Sequence, residues 1–527
     1  MPGPALTDAL HATTLEVARA TGRYDAVVVG AGAAGGMAAM LLTEAGLRVL
    51  VLDAGAVRSP IRSFSRRVVR GLTRRILGDA AVAALGRRRQ AIQMQCYAWP
   101  RAPEAFVDDL DCPYITPADR PFVWLRARQL GGRWLIPGHG RQYYRLGPDD
   151  IAPPDGLSAP WPLQASELDS WYAAVERRLG LSGRRDDLPW LPDGELKIIL
   201  EPTPAEAALQ HSISARWPSV RGVLGRFAAP FDALEAAART GRLFIRSGAI
   251  ARGIEVDGSG GVRGVLWIDQ QSRTEQHASA PLVFLCASAL ESTRLLLLSR
   301  SARSPDGLGA GSGVLGRNLM DHVFVRVAGE RPARSTGPAL EAGRCLYLPR
   351  FDARDWPAPG PGRGFGVQII QTSADGGGFT AASFGEMLPR LENRVTLDPK
   401  RRDAWGIPAL HIDCSHSQAE LDRARDQTSA LRELAEVAGV TLTQIDEAPR
   451  SPGCASHECG TARMGSDPTN SVLDPNNECW EARGLYVTDA ACFPSQGTQN
   501  PTLTILALTA RACDHALRTG GGSRARA

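Results

Sequence analysis

Between Ser456 and Leu508 the chain holds residue types that fit proton transfer from an alcohol. His457 stands in a turn bounded by Gly460, and Asn500-Pro501 precedes an apolar helical run. Between them a short apolar strand, Gly484-Leu-Tyr-Val-Thr488, ends on Asp489 and a loop of small residues. A neutral imidazole is suited to take a proton near pH 7, so His457 is the candidate base. Asn500 would hold the oxygen that loses the proton, and it could also cap the helix after it. Pro501 suits a helix start, where its missing N–H is not needed. The positive end of such a helix favours a polar or anionic group. The segment therefore looks like an active site assembled around a cofactor.

The opposite end of the chain contains a cofactor unit. Tyr24-Asp-Ala-Val-Val-Val29 has the apolar character of a buried parallel strand. Gly30-Ala-Gly32-Ala-Ala-Gly35 and an Ala/Met/Leu helix follow, then Leu47-Arg-Val-Leu-Val-Leu52 and Asp53. This is G-x-G-x-x-G in its strand–turn–helix context, with a carboxylate at the end of the second strand for ribose hydroxyls. Asp53 would repel a 2′-phosphate. The unit alone leaves NAD and FAD open.

The 527 residues are enough for two domains with full cores. A net charge of +4 implies no strong pull towards nucleic acid or acidic membranes. Nearly all the positive charge is arginine, since Lys197 and Lys400 are the only lysines. The ten cysteines include no CxxC pair and no CxxCH haem site, and are expected to be reduced thiols. No stretch is long and apolar enough for a membrane span, and the first 22 residues resemble a helical lead-in more than a signal peptide. A cytoplasmic protein is expected. His322, His411 and His416 have no zinc-like spacing and are expected to be structural, with no metal site. Glu392 and Asn393 fit a turn or the rim of a pocket.

Between these ends the pattern changes several times. A basic stretch from Arg62 to Arg89 fits a solvated face, and Arg101 to Pro121 reads as loop. A helix capped by Ser166 is expected, with Leu168, Trp171, Tyr172, Val175 and Leu179 at helical spacing. Residues 243–246, 249–256 and 262–268 alternate like a three-strand meander, and Pro281–Leu285 reads as a buried strand. From 323 to 450, β-like runs and a charged helix, Gln418–Val437, suggest a covering α+β domain, with Trp356–Gly366 as its clearest linker.

Three blocks together resemble the glucose–methanol–choline (GMC) flavoprotein oxidoreductases from about Tyr24 to Leu517: GAGAAGG…VLDAG, CASALESTRLLL with LGRNLMDH, and HECGTARMG…GLYVTDA…NPTLTI. The His/Asn version of the pair resembles the bacterial sugar-dehydrogenase and pyranose-oxidase side of that family. The resemblance implies an α/β fold: a discontinuous Rossmann-like FAD-binding domain with an α+β substrate-binding domain built on an antiparallel sheet. FAD-binding parts are expected at 22–150, 236–322 and 451–520, an insertion contributing to the substrate domain at 151–235, and the substrate-binding domain at 323–450. FAD rather than NAD is implied, with Gly30, Gly32, Ala33, Ala34, Gly35, Asp53, Ala54, Arg128, Gly131, Gly132, Ile250, Ala251, Ala287, Asp489, Ala490, Asn500, Pro501 and Thr502 around it. His457 and Asn500 occupy the catalytic positions.

Two departures stand out. Arg133 follows Gly131-Gly132 where the family has a small residue, and Glu291-Ser292 replaces a Ser/Thr-Pro-like pair. His139 lies seven residues beyond Gly132, further than the histidine that carries covalent flavin, so noncovalent FAD is expected. The implied reaction is oxidation of an alcohol on a sugar, glycoside, amino sugar or cyclitol by hydride transfer to flavin N5. A non-redox lyase or a non-sugar alcohol oxidoreductase are the alternatives. The helix after Pro501 would favour charge on the reduced flavin. Arg126, Arg128, Arg133 and Arg141 could bond a polyhydroxyl or acidic substrate, or serve surface or flavin-phosphate roles. Oxygen, a soluble acceptor or a separate electron-transfer subunit would take the electrons.

Overall fold

The computed structural model describes residues 23–55, 89–136, 142–228, 231–331, 344–351, 364–371 and 378–524. The N-terminal lead-in, the basic stretch up to residue 88, His139, Arg141 and residues 356–363 of the linker lie outside them. The last linker residues are strand: Phe365 and Gly366 open Phe365–Gln371.

A mostly parallel sheet forms one layer of the molecule. Its strands are β1 (Ala26–Val29), β2 (Val49–Asp53), β3 (Leu243–Ser247), β7 (Leu282–Leu285), β15 (Glu478–Cys479) and β16 (Ala482–Val487), in the order β15-β16-β7-β1-β2-β3. Only β15 runs antiparallel to its neighbour. Every residue of β1 and β2 is buried, as expected for strands covered on both faces. The helix α1 (Ala33–Glu44) is buried on most sides, so its apolar residues show no stripe. It packs beside α5 (Thr502–Arg524), which in turn packs on α2 (Ala165–Leu179), where Tyr172 Oη and Thr504 Oγ1 lie 2.8 Å apart.

Two sequence expectations are corrected. Ser166 lies inside the first turn of α2; Gln164 is the cap residue, and its N–H donates to Glu167 Oε1 at 2.9 Å. The meander consists of β4 (Ala249–Val256), β5 (Val262–Asp269) and β6 (Glu275–Ser279), not of residues 243–246. Leu243, Phe244 and Ile245 are buried and pair in parallel with β2. β6 is exposed at four of its five positions, so it lacks the apolar alternation that marks a strand in sequence.

The second large sheet is antiparallel, in the order β14-β8-β11-β10-β9 with the short Val223–Leu224 at its edge. Its strands are β8 (Val323–Glu330), β9 (Cys345–Phe351), β10 (Phe365–Gln371), β11 (Gly378–Gly385) and β14 (Thr441–Ile445). The charged helix α4 (Gln418–Val437) covers it, its N-terminus fixed by Ser417 and Glu420 as a capping box. A separate hairpin, β12 (Arg394–Arg402) with β13 (Pro408–Asp413), lies beside α3 (Ala289–Leu298). No helix among the described residues is long and apolar enough to cross a membrane.

Candidate active site

The parallel strands β1, β2, β7 and β16 end on the same side, where open α/β sheets place their ligands. The residues just beyond them, Gly30, Asp53–Gly55, Cys286–Ser288 and Asp489, line one elongated cavity that runs to His457 and Asn500. It holds about 1850 Å³ of empty space, including its open mouth. Ala33, Ala34, Ala54, Arg128, Gly132, Ile250, Ala251, Ala287, Ala490, Pro501 and Thr502 line it as well.

The glycines fit such a ligand by different means. Gly30 has φ +93° and lies against Cys286 O, while a Cβ on Gly35 would sit 1.8 Å from Gly30 O. Gly35 therefore closes the turn against α1 and does not line the cavity. A Cβ on Gly32 would meet nothing within 4 Å and would project into the space a dinucleotide needs. Gly131 (φ +85°) also stands off the wall, its close approach being to Leu135. Asp53 accepts from Ala31 N–H (2.8 Å) and Gly55 N–H (2.7 Å), and burial raises its pKa to about 6. Arg128 stacks on Trp405 and leaves one guanidinium nitrogen, Nη1, buried without a partner, available to a ligand oxygen. These features could hold FAD. Asp489 accepts from Ser292 Oγ and from Ala491 N–H (3.0 Å), and burial raises it to about 6.

At the inner end, His457 is fixed from both sides. Its N–H donates to Asp321 Oδ1 (2.9 Å), and Asp321 Oδ2 accepts from Gly453 and Ala455 (2.7 and 3.1 Å). Burial, with the nearby Glu458 charge, pushes Asp321 up to about 7. Arg133 braces the same turn, donating to Ser456 O (3.0 Å) and Glu458 Oε2 (3.2 Å). It also borders the cavity. Arg126 is likewise engaged, with Cys112 O and Glu291 and over the Trp124 ring.

The tautomer of His457 follows from its neighbours. The carbonyl of Gly497 can only accept, so His322 Nε2, 3.1 Å away, carries the proton. Burial holds His322 down to about 4, so it is neutral and its Nδ1 is an acceptor. His457 Nδ1 lies 2.8 Å from that atom and must donate to it. A lone pair remains on His457 Nε2, 3.4 Å from Asn500 Nδ2. Both residues line the cavity. The Asn500 carbonyl oxygen accepts from Gln368 Nε2 at 2.6 Å, so it is engaged by β10 of the antiparallel sheet and not by the helix after it.

The sequence suggests a structural role for His322, whereas in the fold it touches His457. Its only signal in the sequence is its place beside Asp321 just before a strand. Sequence reasoning misses Gln368 and Gln142 as well, although a glutamine within the apolar run Gly366-Val-Gln-Ile-Ile370 is itself conspicuous. His411 and His416 lie away from the cavity, on β13 and just after it, and neither Glu392 nor Asn393 lines it. Among the described residues no group of three or more His, Cys, Asp or Glu could hold a metal, and all ten cysteines are free.

A family model described as GMC oxidoreductase matches residues 389–509. Over 538 residues the chain is 28% identical to paromamine 6'-oxidase of Streptomyces fradiae, spanning 94% of this chain and 90% of that protein. It is also 28% identical over 567 residues to 6'''-hydroxyparomomycin C oxidase of Streptomyces lividus, spanning 98% and 94%. The crystal structure of pyridoxine 4-oxidase from Mesorbium loti superposes with a TM-score of 0.63 at 20% identity, covering 94% of this chain and 99% of that one. At that identity the likeness speaks to the fold alone. With a cavity at the sheet ends that His457 and Asn500 line, and a C-terminal segment, residues 389–509, that matches the GMC oxidoreductase model, the chain is similar to the GMC oxidoreductases and is an FAD-dependent oxidoreductase.

Proposed function

We propose that this protein oxidises a hydroxyl group of a sugar, glycoside, amino sugar or cyclitol to a ketone or aldehyde, with His457 as base and Asn500 holding the reacting oxygen. One observation carries the residue roles: His322 leaves His457 with its lone pair on Nε2, in the cavity beside Asn500 Nδ2. A substrate hydroxyl there donates its proton to Nε2 and accepts from the Asn500 amide. The amide then stabilises the negative charge that grows on the oxygen as the proton leaves. Bound FAD supplies the hydride acceptor.

The Gly30–Gly35 turn, Asp53 and Arg128 are suited to hold the cofactor noncovalently. The amino-sugar class is favoured by the two Streptomyces relatives, whose names specify paromamine and hydroxyparomomycin C. Oxygen, a soluble acceptor or a separate electron-transfer subunit takes the electrons. The free thiols support a reducing compartment such as the cytoplasm. The test is anaerobic mixing of the yellow protein with a panel of sugars, glycosides, amino sugars and cyclitols. Bleaching of the flavin by members of that panel is expected. Bleaching only by aliphatic alcohols or sterols would refute the substrate class, and no bleaching by any alcohol would refute the oxidation itself.

A further inference from the structure

The bond between Gln368 and Asn500 belongs to a longer series. Tyr144 Oη donates to Gln142 Oε1, and Gln142 Nε2 donates to Gln368 Oε1 at 3.0 Å. Gln368 Nε2 donates to Asn500 Oδ1 at 2.6 Å, and Asn500 Nδ2 faces His457 Nε2. His457 then donates to His322, and His322 to Gly497 O. Every link runs in one direction, and the Gly497 carbonyl fixes that direction because it has no proton to give.

We propose that Gln142 and Gln368 are positioning residues that keep the Asn500 amide turned with its N–H group, and never its carbonyl, towards the reacting oxygen. This rests on the roles proposed above for His457 and Asn500. An asparagine amide can turn end for end at little intrinsic cost, and the two orientations do opposite chemistry. With Nδ2 inward, the site offers the substrate one donor and one base, so the hydroxyl proton has a single destination. With Oδ1 inward, the amide would compete with His457 for that proton and would repel the growing alkoxide. A reversed Asn500 would also set its oxygen against the Nε2 lone pair and its NH2 against that of Gln368. Both glutamines are buried, at 4% and 7% exposure, so water poorly replaces a lost partner. Stacking of Tyr144 on Tyr347, with centroids 4.2 Å apart, holds the outer end of the series. Gln142 belongs to the cavity wall, and Gln368 reaches Asn500 from β10 of the antiparallel sheet, so the second sheet sets the orientation of a residue next to the first.

The test is a double-mutant cycle on the holoenzyme, reading the rate constant of anaerobic flavin reduction, the substrate dissociation constant and their pH dependence. Gln368→Met keeps the side-chain length but removes the donor. It is expected to slow reduction roughly ten-fold, the scale of one lost buried hydrogen bond, with FAD content and unfolding temperature near wild type. Combined with Asn500→Ala, it should slow reduction no further than Asn500→Ala alone, because there is no amide left to orient. Gln368→Glu, which can accept but not donate, should slow reduction at least as much and shift its pH profile. If Gln368→Met loses FAD, Gln142→Leu carries the same cycle, with a smaller single effect that also vanishes beside Asn500→Ala. Effects that multiply in the double variants, or a Gln368→Met enzyme that reduces at the wild-type rate, would overturn the inference. An Asn500→Ala enzyme that reduces at the wild-type rate would instead overturn the role of Asn500 itself.

Discussion

The role proposed for His457 depends on two neighbours that precede a strand some 135 residues away in sequence. Asp321 fixes the backbone of its turn and His322 fixes its proton. Replacing Asp321 with asparagine keeps the shape but sets an NH2 group against N–H groups that need acceptors. We expect D321N to lower the unfolding temperature and slow flavin reduction together, measured by thermal unfolding and stopped-flow absorbance. Leaving buried N–H donors without an acceptor costs about 1–3 kcal/mol. His322→Phe should act differently: the ring volume stays, but His457 is free to take the other tautomer, so the reduction rate falls while FAD remains bound. An H322F enzyme with an unchanged rate would show that the tautomer is set elsewhere. At this scale the sequence singles out His457 and Asn500, which line the cavity together, because a motif and a helix start mark them. It is silent about His322 and Gln368, because their roles depend on contacts between two sheets that no local pattern records.

The turn between β1 and α1 is legible in the amino-acid sequence as a whole unit, because its glycines, strand and acid are contiguous there. The three glycines nevertheless serve distinct ends, which allows a sharp contrast. Gly35→Ala puts a Cβ 1.8 Å from a backbone oxygen and should prevent folding of the N-terminal unit. Gly32→Ala meets no protein atom within 4 Å, so the FAD-free protein should melt at the wild-type temperature while its affinity for added FAD falls. Isothermal titration with FAD and melting of the FAD-free protein separate the two effects. The meander is legible only in part. β3 reads as apolar like its neighbours, and only its pairing with β2 assigns it to the parallel sheet. The exposed β6 has no pattern to read at all.

Across the whole molecule, the cavity wall and the turn behind His457 bury several ionisable groups whose protons link stability to pH. Burial raises Asp53 and Asp489 to about 6 and Asp321 to about 7, each from 3.8. The folded protein thus binds these protons more tightly than the unfolded chain, so the stability they lend is intact below about 3.8 and is lost as pH rises to 6 for two of them and to 7 for Asp321. His322 has the opposite sign. Its value falls from 6.5 to about 4, so its share of stability is intact above 6.5 and is lost as pH falls towards 4. With three carboxyls against one imidazole, the FAD-free protein should melt at a lower temperature at pH 7 than at pH 5.5, which scanning calorimetry can check. The two-sheet arrangement and the cavity at the sheet ends follow from the βαβ unit and the family resemblance. The distribution of buried charge does not, since burial is a property of the assembled chain. The reaction turns on one proton and the residue that takes it. Anaerobic stopped-flow reduction of the bound flavin by an amino-sugar glycoside follows that step without interference from the electron acceptor. Rapid bleaching by the wild-type protein is expected. His457→Ala should keep its yellow FAD and bleach roughly two to four orders of magnitude more slowly, the usual contribution of a general base. A His457→Ala protein that bleaches at the wild-type rate would remove His457 from the role of base.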